Sequence, residues 1–222
     1  MKVIGINASP RGKDSSTLKL TNAVLAGAEK EGAETELIDL YATRIEHCTA
    51  CGTCYASGDC IFLDDFSDIF DRMLNSDGIV LGAPNYVDSV PAQMKALFDR
   101  MADAIHCQML TGKFGCSVCT AGGSGENEVV GYMNKVLSTL GANIVGGVGV
   151  AIGRDPAALG KAEKKARELG KTLAKAIRGE ITYPDQDELH EQKRKYFCEL
   201  VKYNKDRFAH EYEWYEKMGW MK

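Results

Sequence analysis

Four cysteines crowd into thirteen consecutive positions, Cys48, Cys51, Cys54 and Cys60, in the spacing C-x2-C-x2-C-x5-C. A thiolate is a soft ligand and prefers a thiophilic centre such as an iron–sulfur cluster, zinc or copper(I). Two-residue gaps let successive sulfurs wrap around one small inorganic object, and the longer last gap carries the fourth to its far side. Thr49, Ala50, Gly52 and Thr53 are small enough for the backbone to fold that tightly. N–H groups in such a loop can point at the sulfurs, which suits a cluster of net negative charge. Other readings stand beside this one. Disulfides fit poorly, because the remaining cysteines sit in apolar segments and the N-terminus does not read as a secretory leader. Structural zinc usually comes as two separated C-x2-C knuckles with a long spacer. The spacing known for bacterial clusters, C-x2-C-x2-C-x3-C-P, is matched in the first two gaps but not in the last, and the proline is missing. The residues favour an iron–sulfur cluster, with zinc second and inert thiols third.

A second group of residues has the chemistry of an anion trap. Asn7-Ala8-Ser9-Pro10-Arg11-Gly12-Lys13-Asp14-Ser15-Ser16-Thr17 lies between a short apolar strand and a helix that Gly32 stops. A helix N-terminus offers unpaired N–H groups and the positive end of a dipole. Ser9, Ser15, Ser16 and Thr17 add hydroxyls and Arg11 a charged fork, so a phosphate is the expected ligand. The plainer reading is that Ser15 or Ser16 only caps the helix. The turn is neither a Walker loop nor G-x-G-x-x-G, and the glycine run at 146–149 also fails the latter because position 152 is Ile. Two further loops could hold a flat ligand. Asn85 and Tyr86 offer an amide and an aromatic edge, and Ala121-Gly122-Gly123-Ser124-Gly125 offers N–H groups with no side chains in the way. No acid–base pair is evident. The four histidines are scattered, and His47, beside the cysteines, reads as a surface or supporting residue.

The elements that must position these loops follow from hydrophobic periodicity. The 222 residues accommodate one α/β domain of about 180 residues with an appendage. The net charge of −4 argues against nucleic acid and against an anionic membrane surface. No run approaches the roughly 18 apolar residues of a membrane span, and the expected location is the cytoplasm. The continuous apolar run Val3–Ile6 predicts a parallel strand covered on both faces, and Glu34–Leu40, Gly78–Gly82, Phe114–Thr120 and Asn143–Val150 read as the second to fifth strands. Helical patterns at 64–75, 92–102, 127–140 and 156–178 alternate with them. Lys95, Asp99 and Arg100 are expected on a solvated or ion-paired face. Cys116 and Cys119 should point to opposite faces of their strand, so they are no redox pair, and Cys107 and Cys198 read as packed thiols. In a parallel sheet every loop leaving a strand's carboxyl end lies on one rim, so the cysteine loop and the anion turn share an edge. From residue 180 the composition turns charged and aromatic. Helices there are expected to lie on a neighbouring subunit or to cap the ligand rim, or, more plainly, to dock on their own domain.

Taken together, these motifs resemble the iron–sulfur flavoproteins of the flavodoxin-like, NADPH-dependent FMN reductase superfamily, over roughly residues 1–178. The resemblance rests on Ser9-Pro10-Arg11 with Ser16-Thr17, the four-cysteine loop, Gly82-Ala83-Pro84-Asn85-Tyr86, Gln93-Met94-Lys95-Ala96-Leu97-Phe98-Asp99-Arg100 and Thr120-Ala121-Gly122-Gly123. It implies an α/β fold, a doubly wound five-stranded parallel sheet in order 2-1-3-4-5, over residues 1–179 with the inserted loop at 47–61, followed by a helical extension at 180–222. It implies FMN at the switch point, its phosphate on Ser9, Arg11, Ser15, Ser16 and Thr17 and its ring along Pro84, Asn85, Tyr86, Val87, Thr120, Ala121, Gly122 and Gly123. It further implies a 4Fe-4S cluster on Cys48, Cys51, Cys54 and Cys60, a homodimer or homotetramer, and electron transfer between a ferredoxin-like one-electron donor and a small-molecule two-electron acceptor. An NAD(P)H-dependent FMN or quinone reductase with zinc or no metal, and a non-enzymatic flavin-binding docking protein, are the alternatives.

Overall fold

The computed structural model describes residues 1–153 and 155–221, so Lys222, the last residue of the C-terminal stretch, lies outside it. Strands β1 (Lys2–Asn7), β2 (Glu34–Asp39), β3 (Gly78–Pro84), β4 (Phe114–Ala121) and β5 (Asn143–Ala151) form a parallel sheet in the order β2-β1-β3-β4-β5. The period-two alternation of each strand feeds two cores. Ile79 and Leu81 face one and Val80 the other. Cys119 and Cys116 divide in the same way, as their odd separation requires.

Helices α1 (Ser16–Glu29) and α7 (Ala158–Ile177) cover one face of the sheet; α3 (Phe66–Leu74), α4 (Ala92–Arg100) and α6 (Glu126–Thr139) cover the other. Two shorter helices, α2 (Thr53–Ser57) and α5 (Ala102–His106), belong to the cysteine region. The α1–α7 contact is backbone on backbone: a Cβ on Gly27 would strike the Arg167 carbonyl, and one on Gly170 the Val24 carbonyl.

The C-terminal helices α8 (Pro184–Tyr203) and α9 (Ala209–Met218) follow the sheet domain. They dock on their own chain. Cys198, Val201 and Tyr215 make a small core, with Trp214 and Trp220 packed on it. Tyr215 is fully buried, and its hydroxyl lies 3.0 Å from the His106 carbonyl and 3.2 Å from that of Arg194, a shared donor to both. The Trp214 indole N–H donates to the Cys107 carbonyl at 2.8 Å. At the other end of the extension, the Gln186 amide accepts from the Ile144 N–H at 2.7 Å and donates to its carbonyl at 3.0 Å. Those are backbone groups of an edge strand, which an open sheet must cover or blunt.

Candidate functional site

Two hollows open on the carboxyl rim of the sheet. The first sits at the switch point, where the chain leaves β1 toward β2 on one side and β3 lies on the other. Ser9, Arg11, Ser16, Thr17, Pro84, Asn85, Tyr86, Thr120, Ala121, Gly122 and Ile152 line it. Of the residues expected at an anion and ring site, Ser15, Val87 and Gly123 lie outside this wall. Ser15 is buried and caps α1, its hydroxyl accepting from the Leu18 N–H at 3.0 Å. Val87 is fully exposed on a turn with left-handed φ (53°). The first N–H groups of α1 have no intrahelical acceptor and face the turn.

The walls of this hollow are tied to each other. Thr17 and Thr120 share a 2.6 Å hydroxyl hydrogen bond. The Asn85 N–H donates to the Thr120 carbonyl at 2.8 Å, and its side-chain amide to the Ser124 carbonyl at 2.7 Å. The Asn85 side-chain oxygen is buried with no partner among the described residues, an acceptor aimed at nothing in the protein. A Cβ on Gly122 would meet open space. Phosphate donors at one end, an unsatisfied amide oxygen and side-chain-free backbone at the other, fit a phosphorylated planar ligand such as FMN. Ile152, carried in by β5, had no signal in the sequence beyond its place just after a strand.

The second hollow gathers all four clustered cysteines, with Tyr55, Phe62 and Arg100 among its walls. The backbone turns tightly here because Ala50 (φ 53°), Gly52 (φ 76°) and Gly58 (φ 78°) take left-handed conformations. The Ala50 N–H lies 3.4 Å from the Cys48 sulfur. The hydroxyl and N–H of Thr53 bond to the Cys51 sulfur and hold that thiol below its ordinary range; burial pushes Cys54 up to about 11. All eight cysteines are free thiols. Among the described residues, no three of the four sulfurs come within 4.8 Å of one another. A tetrahedral zinc ion with bonds of about 2.3 Å needs sulfurs roughly 3.8 Å apart. Four free thiols around one hollow are a donor set that fits a thiophilic group such as an iron–sulfur cluster.

The neck of this loop is closed by a buried ion pair that the sequence left ambiguous. Arg100 was expected on a solvated or ion-paired face; it is ion-paired and not solvated. Its side chain has no exposed area, and that of Asp64 has 1 %. The guanidinium contacts both Asp64 carboxylate oxygens, at 2.7 and 3.2 Å, and donates to the Glu46 carbonyl at 2.9 Å. Asp64 accepts from the Glu46 N–H at 2.7 Å. The pair thus staples residue 46 to residue 64, the two sides of the neck. Its signal in the sequence is the place of Arg100 three residues after the buried Leu97, at the border of the inward stripe of α4. His47 is exposed and lines neither hollow.

Behind the loop, α9 forms a wall. Phe208 packs on Tyr55, with ring centroids 4.9 Å apart. His210 meets Asp103 at 3.4 Å, and His106 meets the fully buried Glu211 at 2.9 Å. The aromatic tail residues gave no hint of this seat, because their partners on α5 are more than a hundred positions away.

An open parallel sheet in this order, with an anion turn and a flat-ligand hollow at its switch point, defines a flavodoxin-like redox protein. The family model described as NADPH-dependent FMN reductase matches residues 1–157. An iron–sulfur flavoprotein of Archaeoglobus fulgidus is 35% identical over the whole of both chains. One from Methanocaldococcus jannaschii is 32% identical over 80% of this chain and 98% of its own. The NAD(P)H:quinone oxidoreductase of Methanothermobacter marburgensis shares the fold, with a TM-score of 0.61 at 20% identity over 78% of this chain and 96% of its own. The chain belongs to the NADPH-dependent FMN reductase family, as an iron–sulfur flavoprotein and an FMN-dependent oxidoreductase.

Proposed function

We propose that this protein relays electrons between a ferredoxin-like one-electron donor and a small-molecule two-electron acceptor, with FMN in the switch-point hollow and a 4Fe-4S cluster on Cys48, Cys51, Cys54 and Cys60. The observation that carries this reading is the cysteine hollow: four free thiols around one cavity, on the chain that holds the anion turn. When bound, the cluster supplies one-electron and the flavin one- or two-electron chemistry. Ser9, Arg11, Ser16 and Thr17 take the phosphate, with Ser15 ordering the helix end beneath it. Pro84, Asn85, Tyr86, Thr120, Ala121 and Gly122 take the ring, with Val87 and Gly123 at its outer margin. The protein acts by binding, burial and hydrogen bonding.

Assembly as a homodimer or homotetramer in the cytoplasm belongs to the same proposal. Fully exposed Leu63 and Val87 are apolar groups that assembly would cover; sedimentation reads the mass. Among the described residues no helix is long and apolar enough to cross a membrane.

The test is metal analysis and a visible spectrum of anaerobically purified protein. About four irons and four sulfides per chain are expected. Cys51→Ala should lose them and keep FMN. One zinc per chain, or none, would sink the relay. A second reading, direct reduction by NAD(P)H, is favoured by the description of the family. Anaerobic bleaching of the flavin by NADPH without ferredoxin would support it. Membership of an enzyme family sets aside a purely docking role.

A further inference from the structure

We propose that Arg100 is a positioning residue for the cluster: its Nε–H donates to the Cys60 sulfur, fixing the last ligand of the loop and making the cluster easier to reduce. This rests on the four-cysteine reading above. The Nε–Sγ separation is 3.1 Å, short for a donor to sulfur. The rest of the guanidinium is already committed, its fork to Asp64 and the Glu46 carbonyl. The edge facing Cys60 is therefore held in place and has no rotamer to search. Phe62 and Phe66 cover the guanidinium, their ring centroids 5.0 and 4.6 Å from Cζ. The guanidinium has no exposed area, so water does not compete for its N–H groups.

Geometry also decides the sign of the effect. Asp64 neutralises the pair overall, but the carboxylate lies on the far side of the guanidinium from the sulfur. Cys60 meets the positive edge of an oriented ion pair. An N–H donor and a positive edge both stabilise the more negative, reduced cluster over the oxidised one, so its potential is raised. The effect is local: the hydrogen bond at Cys48 comes from within the loop, from the Ala50 N–H at 3.4 Å. Cys60, six residues beyond Cys54 and outside the α2 turn, is held by a side chain of a separate element, α4. The gap that departs from the ferredoxin pattern is thus the one at which a residue of the sheet domain takes hold of the cluster.

The experiment uses the holoprotein, purified anaerobically. Arg100→Met with Asp64→Asn removes both charges of the pair together, so no lone charge stays buried. Arg100→Lys keeps a charge without the planar donor edge. Three quantities are read in each: iron and sulfide per chain, the potential of the EPR-detected cluster, and the rate of iron loss to a chelator. The expected result is a cluster of unchanged stoichiometry with a more negative potential in both variants and iron loss at least about tenfold faster, the scale seen when support of a metal ligand is removed. In electron–nuclear double resonance the wild type should show an exchangeable proton coupled to the cluster that both variants lack. If the double variant does not fold, Arg100→Lys alone decides. Unchanged potential, unchanged iron loss and the same exchangeable proton would overturn the assignment. Absence of iron in the wild type would instead overturn the cluster reading itself, so the two failures are distinct.

Discussion

Replacing Asp64 by Asn tests the neck of the cysteine loop directly. The change is nearly isosteric and keeps an oxygen for the Glu46 N–H, so packing is preserved, while the charge and the acceptor facing the Phe66 N–H are removed. What remains is a guanidinium with no exposed area and no counter-charge. Breaking a buried ion pair in this way costs about 3–5 kcal/mol. Whole-domain stability is of the order of 5–15 kcal/mol, so the loss is about a fifth of the total or more. With a urea slope near 2 kcal/mol/M, the midpoint should fall by about 2 M. The assay is urea unfolding at fixed FMN, followed by far-UV circular dichroism, with the slope checked against wild type. The double variant, Arg100→Met with Asp64→Asn, leaves no buried charge and should recover most of the loss, ending within about 2 kcal/mol of wild type. A loss below about 1 kcal/mol for Asp64→Asn, or a double variant as unstable as the single, would refute the claim that this pair closes the neck.

Three further outcomes are expected. Arg11→Gln should weaken FMN binding by roughly tenfold or more, the scale of a hydrogen bond to a charged group, and leave riboflavin binding unchanged, since only FMN carries the phosphate; fluorescence titration with both ligands reads the difference. Gly122→Val should fold normally, because a Cβ there meets no protein atom, yet lose FMN affinity; a lowered melting temperature in FMN-free protein would show that the hollow is not where the side chain goes. His190 is held below its ordinary range by burial and by the neighbouring Lys193 and Arg194. The unfolded chain therefore binds a proton that the folded chain refuses. Stability should be complete above pH about 6.5 and fall as pH drops from there toward the depressed folded value. In His190→Gln that part of the slope below pH about 6.5 should vanish.

The strands and their burial were legible because period-two and continuous apolar runs report a local fact: which faces of a strand meet other protein. The cysteine loop was legible because ligand chemistry depends on residue type and spacing. The anion turn showed itself as a strand, a hydroxyl-rich turn and a helix start. Even so, the sequence could not separate the Ser15 cap from a ligand contact, since a hydroxyl at that position serves either use and only its distance to the Leu18 N–H shows that it caps.

What the chain order could not reveal is which distant side chains meet. Arg100 reads only as a solvated or ion-paired charge until Asp64, Glu46, Phe62 and Phe66 close around it. The aromatic tail reads as unpartnered until α9 settles on α5, where Tyr215 reaches two backbone carbonyls and Trp214 a third. Periodicity measures whether a residue is apolar relative to its neighbours in sequence. Burial of a charge, or docking of a tail, depends on complementary groups many residues away, and those are brought within hydrogen-bonding range by the packed sheet and its helices alone.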